Sequence, residues 1–198
     1  GNAAETFVVK HLDHACEYES SMYGTMRPVS FSSWPTLDPI NHPNEPNRDE
    51  DTVSIDLNNI EYIHPAAGYF ASYHAYPYYP DFVGNDPENQ SYYDELGTNS
   101  YLGYLTRLKQ HYNKIPLIIA ETGVPSSWGI AHYTTNGMNH GGFDQQKQGE
   151  TILRLLRNCQ EAGCGGGFNF SFMDAWFKLT WITNNIAYDP GRSILLHN

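Results

Sequence analysis

Positive charge is scarce in this chain of 198 residues: 11 Lys and Arg stand against 22 Asp and Glu, a net charge of −11 at pH 7. That balance disfavours nucleic acids and anionic membrane surfaces as partners, because the phosphates of both would be repelled. Long apolar runs are also missing. None approaches the roughly 20 residues of a membrane span, and no basic-then-apolar segment opens the sequence, which leaves the location of the protein open. Cysteine is limited to Cys16, Cys159 and Cys164. Their number and spacing suit neither a disulfide scaffold nor a four-thiolate zinc site, and all three are expected to be small buried apolar residues. Charged residues amount to only 17% beside 40% hydrophobic, a composition that excludes disorder and fits one domain over residues 1–198.

Cofactor and metal signatures are lacking as well. His11 and His14 lie three apart on a helix and His132 and His140 share a loop, but no set has a convincing ligand spacing. There is no Gly-x-x-x-x-Gly-Lys phosphate loop. A Gly-x-Ser-x-Gly elbow is also absent, which counts against a complete small α/β-hydrolase. Neither metal nor cofactor is therefore expected.

Aromatic residues are abundant: 15 Tyr, 9 Phe and 4 Trp make up 14% of the chain. Beside carboxylates, exposed rings suit neutral polyhydroxylated ligands such as sugars. The rings cover the apolar faces of a pyranose while carboxylates accept hydrogen bonds from its hydroxyls.

Along the chain, helical and strand patterns alternate. Asn2 with Glu5 has the form of a capping box, Phe7, Val8, Leu12 and Ala15 repeat at helical spacing, and Gly24 is a stop. A short strand is expected over 28–32, running into Trp34-Pro35. The proline-rich, acidic stretch 36–51 reads as a long loop, with a short helix near 57–62. A second strand is expected over 68–76 and an irregular stretch from there to Asn99. Tyr101, Leu102, Leu105, Leu108 and Tyr112 then mark an amphipathic helix. The run Leu117-Ile118-Ile119-Ala120 reads as a strand covered on both faces. A glycine-rich loop over 129–142, a helix on Ile152, Leu155, Leu156 and Cys159, and a fourth strand over 166–172 complete the order. Such alternation predicts an α/β fold of parallel β/α units joined by right-handed crossovers.

In such folds the reactive groups collect at the carboxyl ends of the strands. Those ends read Ser32-Ser33-Trp34, His74-Ala75-Tyr76, Glu121-Thr122-Gly123 and Phe172-Met173-Asp174-Ala175-Trp176. Glu121 is the sharpest of these, a carboxylate placed directly after an apolar strand. Asp38, Asp81 and Asp174 read as solvated loop acids or helix caps.

The stretch from Lys114 to Ser127 resembles the seventh strand of the retaining glycoside hydrolases with a (β/α)8 barrel, the clan A superfamily. Tyr73-His74-Ala75-Tyr76-Pro77 is similar to the sixth strand of that family, and Phe170 to Trp176 to the eighth. The resemblance covers about residues 25 to 180. It implies a partial barrel whose strands match the fifth to the eighth, with Glu121 as the catalytic nucleophile. It implies further that His74 and Tyr76 orient the nucleophile and the sugar, with Trp34 lining a subsite. The position usually held by a sugar-flooring Trp reads Phe172, or else Trp176 serves from the following loop. A complete barrel has eight strands and about 250 residues. The family's acid/base Glu follows the fourth strand, which would precede the opening helix. The expected function is thus hydrolysis of O-glycosidic bonds in an oligo- or polysaccharide by a retaining mechanism, with this portion inactive by itself. The alternative is a non-catalytic carbohydrate-binding or scaffold module with the same aromatic cleft. Four strands leave two open sheet edges, so a homo-oligomer, or docking to the remaining barrel half, is expected.

Overall fold

The computed structural model describes residues 1–47, 52–63 and 67–173. Helix α1, Ala3–Tyr23, begins where Asn2 Oδ1 accepts the Glu5 amide at 2.8 Å and Glu5 Oε2 accepts the Asn2 amide at 2.6 Å. It ends at Gly24, whose φ of 63° lets its amide turn back to the Ser20 carbonyl. Glu5 is buried and does more than cap. Its Oε1 also accepts from the Asn59 side chain and the Asp56 amide, and the Asn59 hydrogen bond leads in holding its carboxyl below the usual range.

Next come β1, Ser32–Ser33, a 3-10 turn at Pro35–Leu37, a second at Leu57–Asn59, and β2, Ala71–His74. Two short helices follow, α2 at Asp81–Asn85 and α3 at Pro87–Gln90. A hairpin is formed by β3, Tyr93–Asp94, and β4, Gly97–Thr98. Helix α4, Ser100–His111, leads to β5, Leu117–Thr122. A second hairpin pairs β6, Ile130–His132, with β7, His140–Gly141. Helix α5, Gln145–Glu161, precedes β8, Gly166–Asn169.

Strands β1, β2, β5 and β8 form one sheet in that order, every pair parallel. The four strands thus lie in the sheet in their chain order. Helix α4 lies in the crossover from β2 to β5 and α5 in that from β5 to β8, while the described part of the β1-to-β2 connection holds only 3-10 turns. This is an α/β fold of parallel β/α units, as in part of a barrel. One face of the sheet carries Ala71, Tyr73, Leu117 and Ile119, all wholly buried in a single cluster with Tyr101, Leu105 and Leu108 of α4 and Leu155 and Cys159 of α5. Gly167 must be small here, since a Cβ would stand 2.9 Å from Cys159 Sγ.

Several expectations need correction. Strand β5 is not covered on both faces among the described residues: Leu117, Ile119 and Thr122 are buried, whereas Ile118, Ala120 and Glu121 are half-buried. Among the described residues the helix layer alone supplies a cover, so an unbroken apolar run does not guarantee two buried faces. The strands are shorter than their patterns, and Val29 makes only an isolated bridge to Tyr69. The stretch from Pro77 to Asn99 contains two helices and a hairpin rather than irregular chain. Of the cysteines only Cys159 is fully buried, while Cys16 and Cys164 are half-buried. Asp38 is not a solvated loop acid but only 2% exposed. Its Oδ2 accepts from the Tyr104 hydroxyl at 2.8 Å, and its Oδ1 lies 3.0 Å from His42 Nε2. His42 stacks on Phe82 at 3.6 Å. These contacts pin the long loop after β1 onto α2 and α4. Burial raises the Asp38 carboxyl above its usual range against the pull of His42 and Tyr104.

A candidate active site at the strand ends

A register shift brings the site together. Tyr73 pairs with Ile119, but the next residue of β2, His74, pairs with Glu121, so β5 carries one extra residue there. The same surplus appears against β8, where Ile119 pairs with Gly167 and Thr122 with Asn169. Strict alternation would turn Glu121 toward the helices along with Leu117 and Ile119. The bulge re-aims it, so Ala120 and Glu121 share the half-buried face and Thr122 takes the buried one.

Tyr101 of α4 holds this arrangement from behind. Its buried hydroxyl donates to the Ala75 carbonyl at 2.9 Å and meets Thr122 Oγ1 at 2.8 Å. Thr122 supplies the second proton, which leaves both hydroxyls satisfied. The Ala75 amide donates to the Glu121 carbonyl at 2.9 Å. One phenol thus locks the neighbours of Tyr76 and of Glu121 to each other. Behind Glu121 the backbone turns at Gly123, φ 156°, where a Cβ would sit 2.9 Å from the Phe170 carbonyl oxygen.

On the open side, the Tyr76 hydroxyl donates to Glu121 Oε2 at 2.8 Å. His74 Nδ1 stands 3.5 Å from the same oxygen. The side chains of His74 and Glu121 are 34% and 28% exposed, so a solute can reach the carboxylate. Burial, followed by the Glu121 acceptor, pushes the Tyr76 phenol far above its ordinary value, and it remains a donor. Among the described residues both contacts fall on Oε2 and none on Oε1. A carboxylate so held can accept hydrogen bonds from hydroxyls or present its second oxygen to an electrophile.

Of the residues singled out by sequence, Glu121, His74 and Tyr76 meet. Trp34 stands at the end of β1, exposed, with its ring 5.9 Å from that of Tyr79. Phe172 lies beyond β8 and is 98% exposed. Trp176 and Asp174 fall outside the described residues, and Asp81 opens α2, half-buried. Sequence reasoning missed Tyr78, whose ring lies 5.5 Å from Tyr76, although the run Tyr76-Pro77-Tyr78-Tyr79-Pro80 directly after His74 was a visible signal. Tyr101 and Thr122 were missed because nothing local marks their pairing. Among the described residues no group of three or more His, Cys, Asp or Glu is placed to hold a metal ion, and no helix is long and apolar enough to cross a membrane. Compared with protein-family models, curated proteins and solved structures, the chain matches none.

Proposed function

We propose that the chain is the C-terminal portion, as one α/β domain, of a retaining glycoside hydrolase barrel of the clan A type, with Glu121 as its nucleophile. The observation that carries this reading is the bulge of β5, which turns Glu121 onto the open face with a phenolic donor 2.8 Å from Oε2. In this reading Tyr76 and His74 hold Oε2, and Oε1 attacks the anomeric carbon of an oligo- or polysaccharide. The bond from that carbon to the leaving oxygen breaks as the glycosyl ester forms, and water later cleaves the ester. The leaving oxygen needs a proton from a second carboxyl group roughly 5–5.5 Å away. Among the described residues no second carboxylate touches Glu121, Tyr76 or His74. We assign the donor to residues outside this set.

The test follows from that assignment. A 2-deoxy-2-fluoro glycoside with a dinitrophenolate leaving group needs no proton donor, so it tests the nucleophile alone. With a panel of gluco, manno, galacto and xylo reagents, mass spectrometry is expected to find one glycosyl adduct on the peptide containing Glu121 and none in Glu121→Gln. Sugar binding without an adduct from any reagent would favour the non-catalytic binding module instead.

A further inference from the structure

The turn that carries Tyr76 is held by the β6–β7 hairpin, which follows the Glu121 strand. Tyr76 and Tyr79 close that turn as an antiparallel bridge, with Pro77 and Tyr78 at its centre. The Pro77 ring fixes its own φ, and the Tyr78 side chain is the handle by which the tip can be anchored. The Tyr78 ring adjoins that of Tyr76 at 5.5 Å. It lies flat on His140 of β7, with 4.3 Å between centroids and 4° between planes. His132 of β6 lies nearly parallel to His140 at 5.8 Å. Rings stacked in this way turn their faces to one another, so what they supply is contact within the chain.

The hairpin is tied down at both ends. At its base Gly142 donates its amide to the Ser127 carbonyl at 3.0 Å, and the Ser127 hydroxyl donates to the Gly129 carbonyl at 2.8 Å. At its tip Asn139 Oδ1 accepts the Thr134 amide at 2.7 Å. The Asn136 side chain donates to Ser100 Oγ at 3.0 Å, and the Gln90 side chain donates to Thr135 Oγ1 at 3.1 Å. Ser100 opens α4 and Gln90 closes α3, so both ties reach the helices. Burial, then His132, pushes His140 down to about 4, so at neutral pH it meets Tyr78 as an uncharged plate and not as a cation drawn to Glu121. Strand β5 delivers the acceptor Glu121, and the hairpin after it braces the turn that delivers the donor.

We propose that His140 is a positioning residue: stacked on Tyr78, it clamps the turn from Tyr76 to Tyr79 and keeps the Tyr76 hydroxyl on Glu121 Oε2. The clamp rests on the reading of Glu121 as nucleophile only for its effect on rate, and its geometry is read without chemistry. In the intact chain labelled with carbon-13 at tyrosine Cζ, the Tyr76 resonance is the one lost in Tyr76→Phe. Glu121→Gln removes the charged acceptor and displaces it. His140→Ala is expected to displace it in the same direction, and His140→Phe, which restores a flat ring, to leave it in place. With whichever fluoro glycoside labels Glu121, His140→Ala is expected to slow adduct formation at saturating reagent by roughly three- to tenfold, part of the loss in Tyr76→Phe. The reagent concentration that gives half the maximal rate is expected to stay the same, since the stack touches no reagent. In the Tyr76→Phe background His140→Ala should slow the reaction no further, because the donor it positions is gone. A Tyr76 resonance unmoved by His140→Ala, or equal slowing with and without the Tyr76 hydroxyl, would overturn the clamp. Should His140→Ala not fold, Tyr78→Leu removes the same stack from the side of the turn and is judged by the same resonance and rate. A displaced resonance in a chain that forms no adduct would support the clamp and sink the nucleophile reading. An adduct formed by His140→Ala at the parent rate would sink the clamp and leave the nucleophile standing.

Discussion

Tyr76 and Glu121 show how much a single hydrogen bond can decide. A bond from a neutral donor to a charged acceptor contributes about 1.5–3 kcal/mol, so its loss converts to a rate change of roughly ten- to a hundredfold if it is made in the reacting state. Tyr76→Phe keeps the ring beside Tyr78 and removes only the donor to Oε2. Glycosylation of Glu121, followed by mass spectrometry over time, is expected to slow by at least tenfold. An unchanged rate would mean that Tyr76 packs beside the carboxylate without orienting it. His140 gives a second residue-level prediction, through pH. Burial first, and His132 second, lower it from an ordinary 6.5 to about 4. Its neutral form therefore favours the fold fully above pH 6.5, and that contribution is lost as pH falls through about 4. Because His140 is only half-buried, solvent screening keeps this contribution well below the roughly 3 kcal/mol that the full shift would represent. The melting temperature should drop between pH 6.5 and 4, and His140→Phe, which keeps a ring against Tyr78, should flatten the drop. Equal slopes in the two proteins would show that other groups carry the acid sensitivity. Neither residue is equally legible from sequence. Tyr76 and Glu121 each follow an apolar strand and announce themselves, whereas the environment of His140 comes from Tyr78, 62 positions away, and leaves no local trace.

At the scale of the element, the parts that could be read are those with a long period. Both ends of α1 are written in Asn2, Glu5 and Gly24, and α4 in its apolar repeat. Helix α5 begins at Gln145, ahead of its first apolar residue, because Asp144 caps a polar opening turn through the Lys147 amide. Strands of two or three residues are too short to show a period, so both hairpins escaped notice. The bulge of β5 is hidden for a different reason: it is a property of the pairing with β2 and β8, not of the string Ile119-Ala120-Glu121-Thr122. Asp38 is similar, since one of its partners, Tyr104, is 66 positions distant. If Tyr101 holds the bulge, Tyr101→Phe leaves the Ala75 carbonyl and the Thr122 hydroxyl each short of a buried partner. Such losses cost about 1–3 kcal/mol. The urea midpoint is expected to fall accordingly with the slope unchanged, since the same surface is exposed on unfolding. A midpoint equal to that of the parent chain would mean that backbone pairing alone keeps Glu121 on the open face.

For the molecule as a whole, the decisive feature is asymmetry between the two faces of the sheet. One is sealed by α4 and α5. The other shows Ile118 and Ala120 half-buried, Phe168 63% exposed and Phe170 46% exposed among the described residues. Among the same residues β1 and β8 each pair on one side only, so both edges offer unpaired backbone groups. A barrel closes such an arc with further parallel strands, which cover the inner face and the edges together. A second copy related by rotation about the strand direction would do the same, setting β1 of one chain beside β8 of the other, still parallel. We therefore expect the chain to self-associate. Light scattering should give a mass well above 22.4 kDa, falling toward it on dilution. Phe168→Glu should shift the equilibrium to the monomer, because a charge buried in the contact is costly whereas at an exposed position it leaves the fold of the single chain intact. A parent chain that stays monomeric at every concentration would show that the open face and its edges are covered within one molecule, and Phe168→Glu would then lower thermal stability instead of mass.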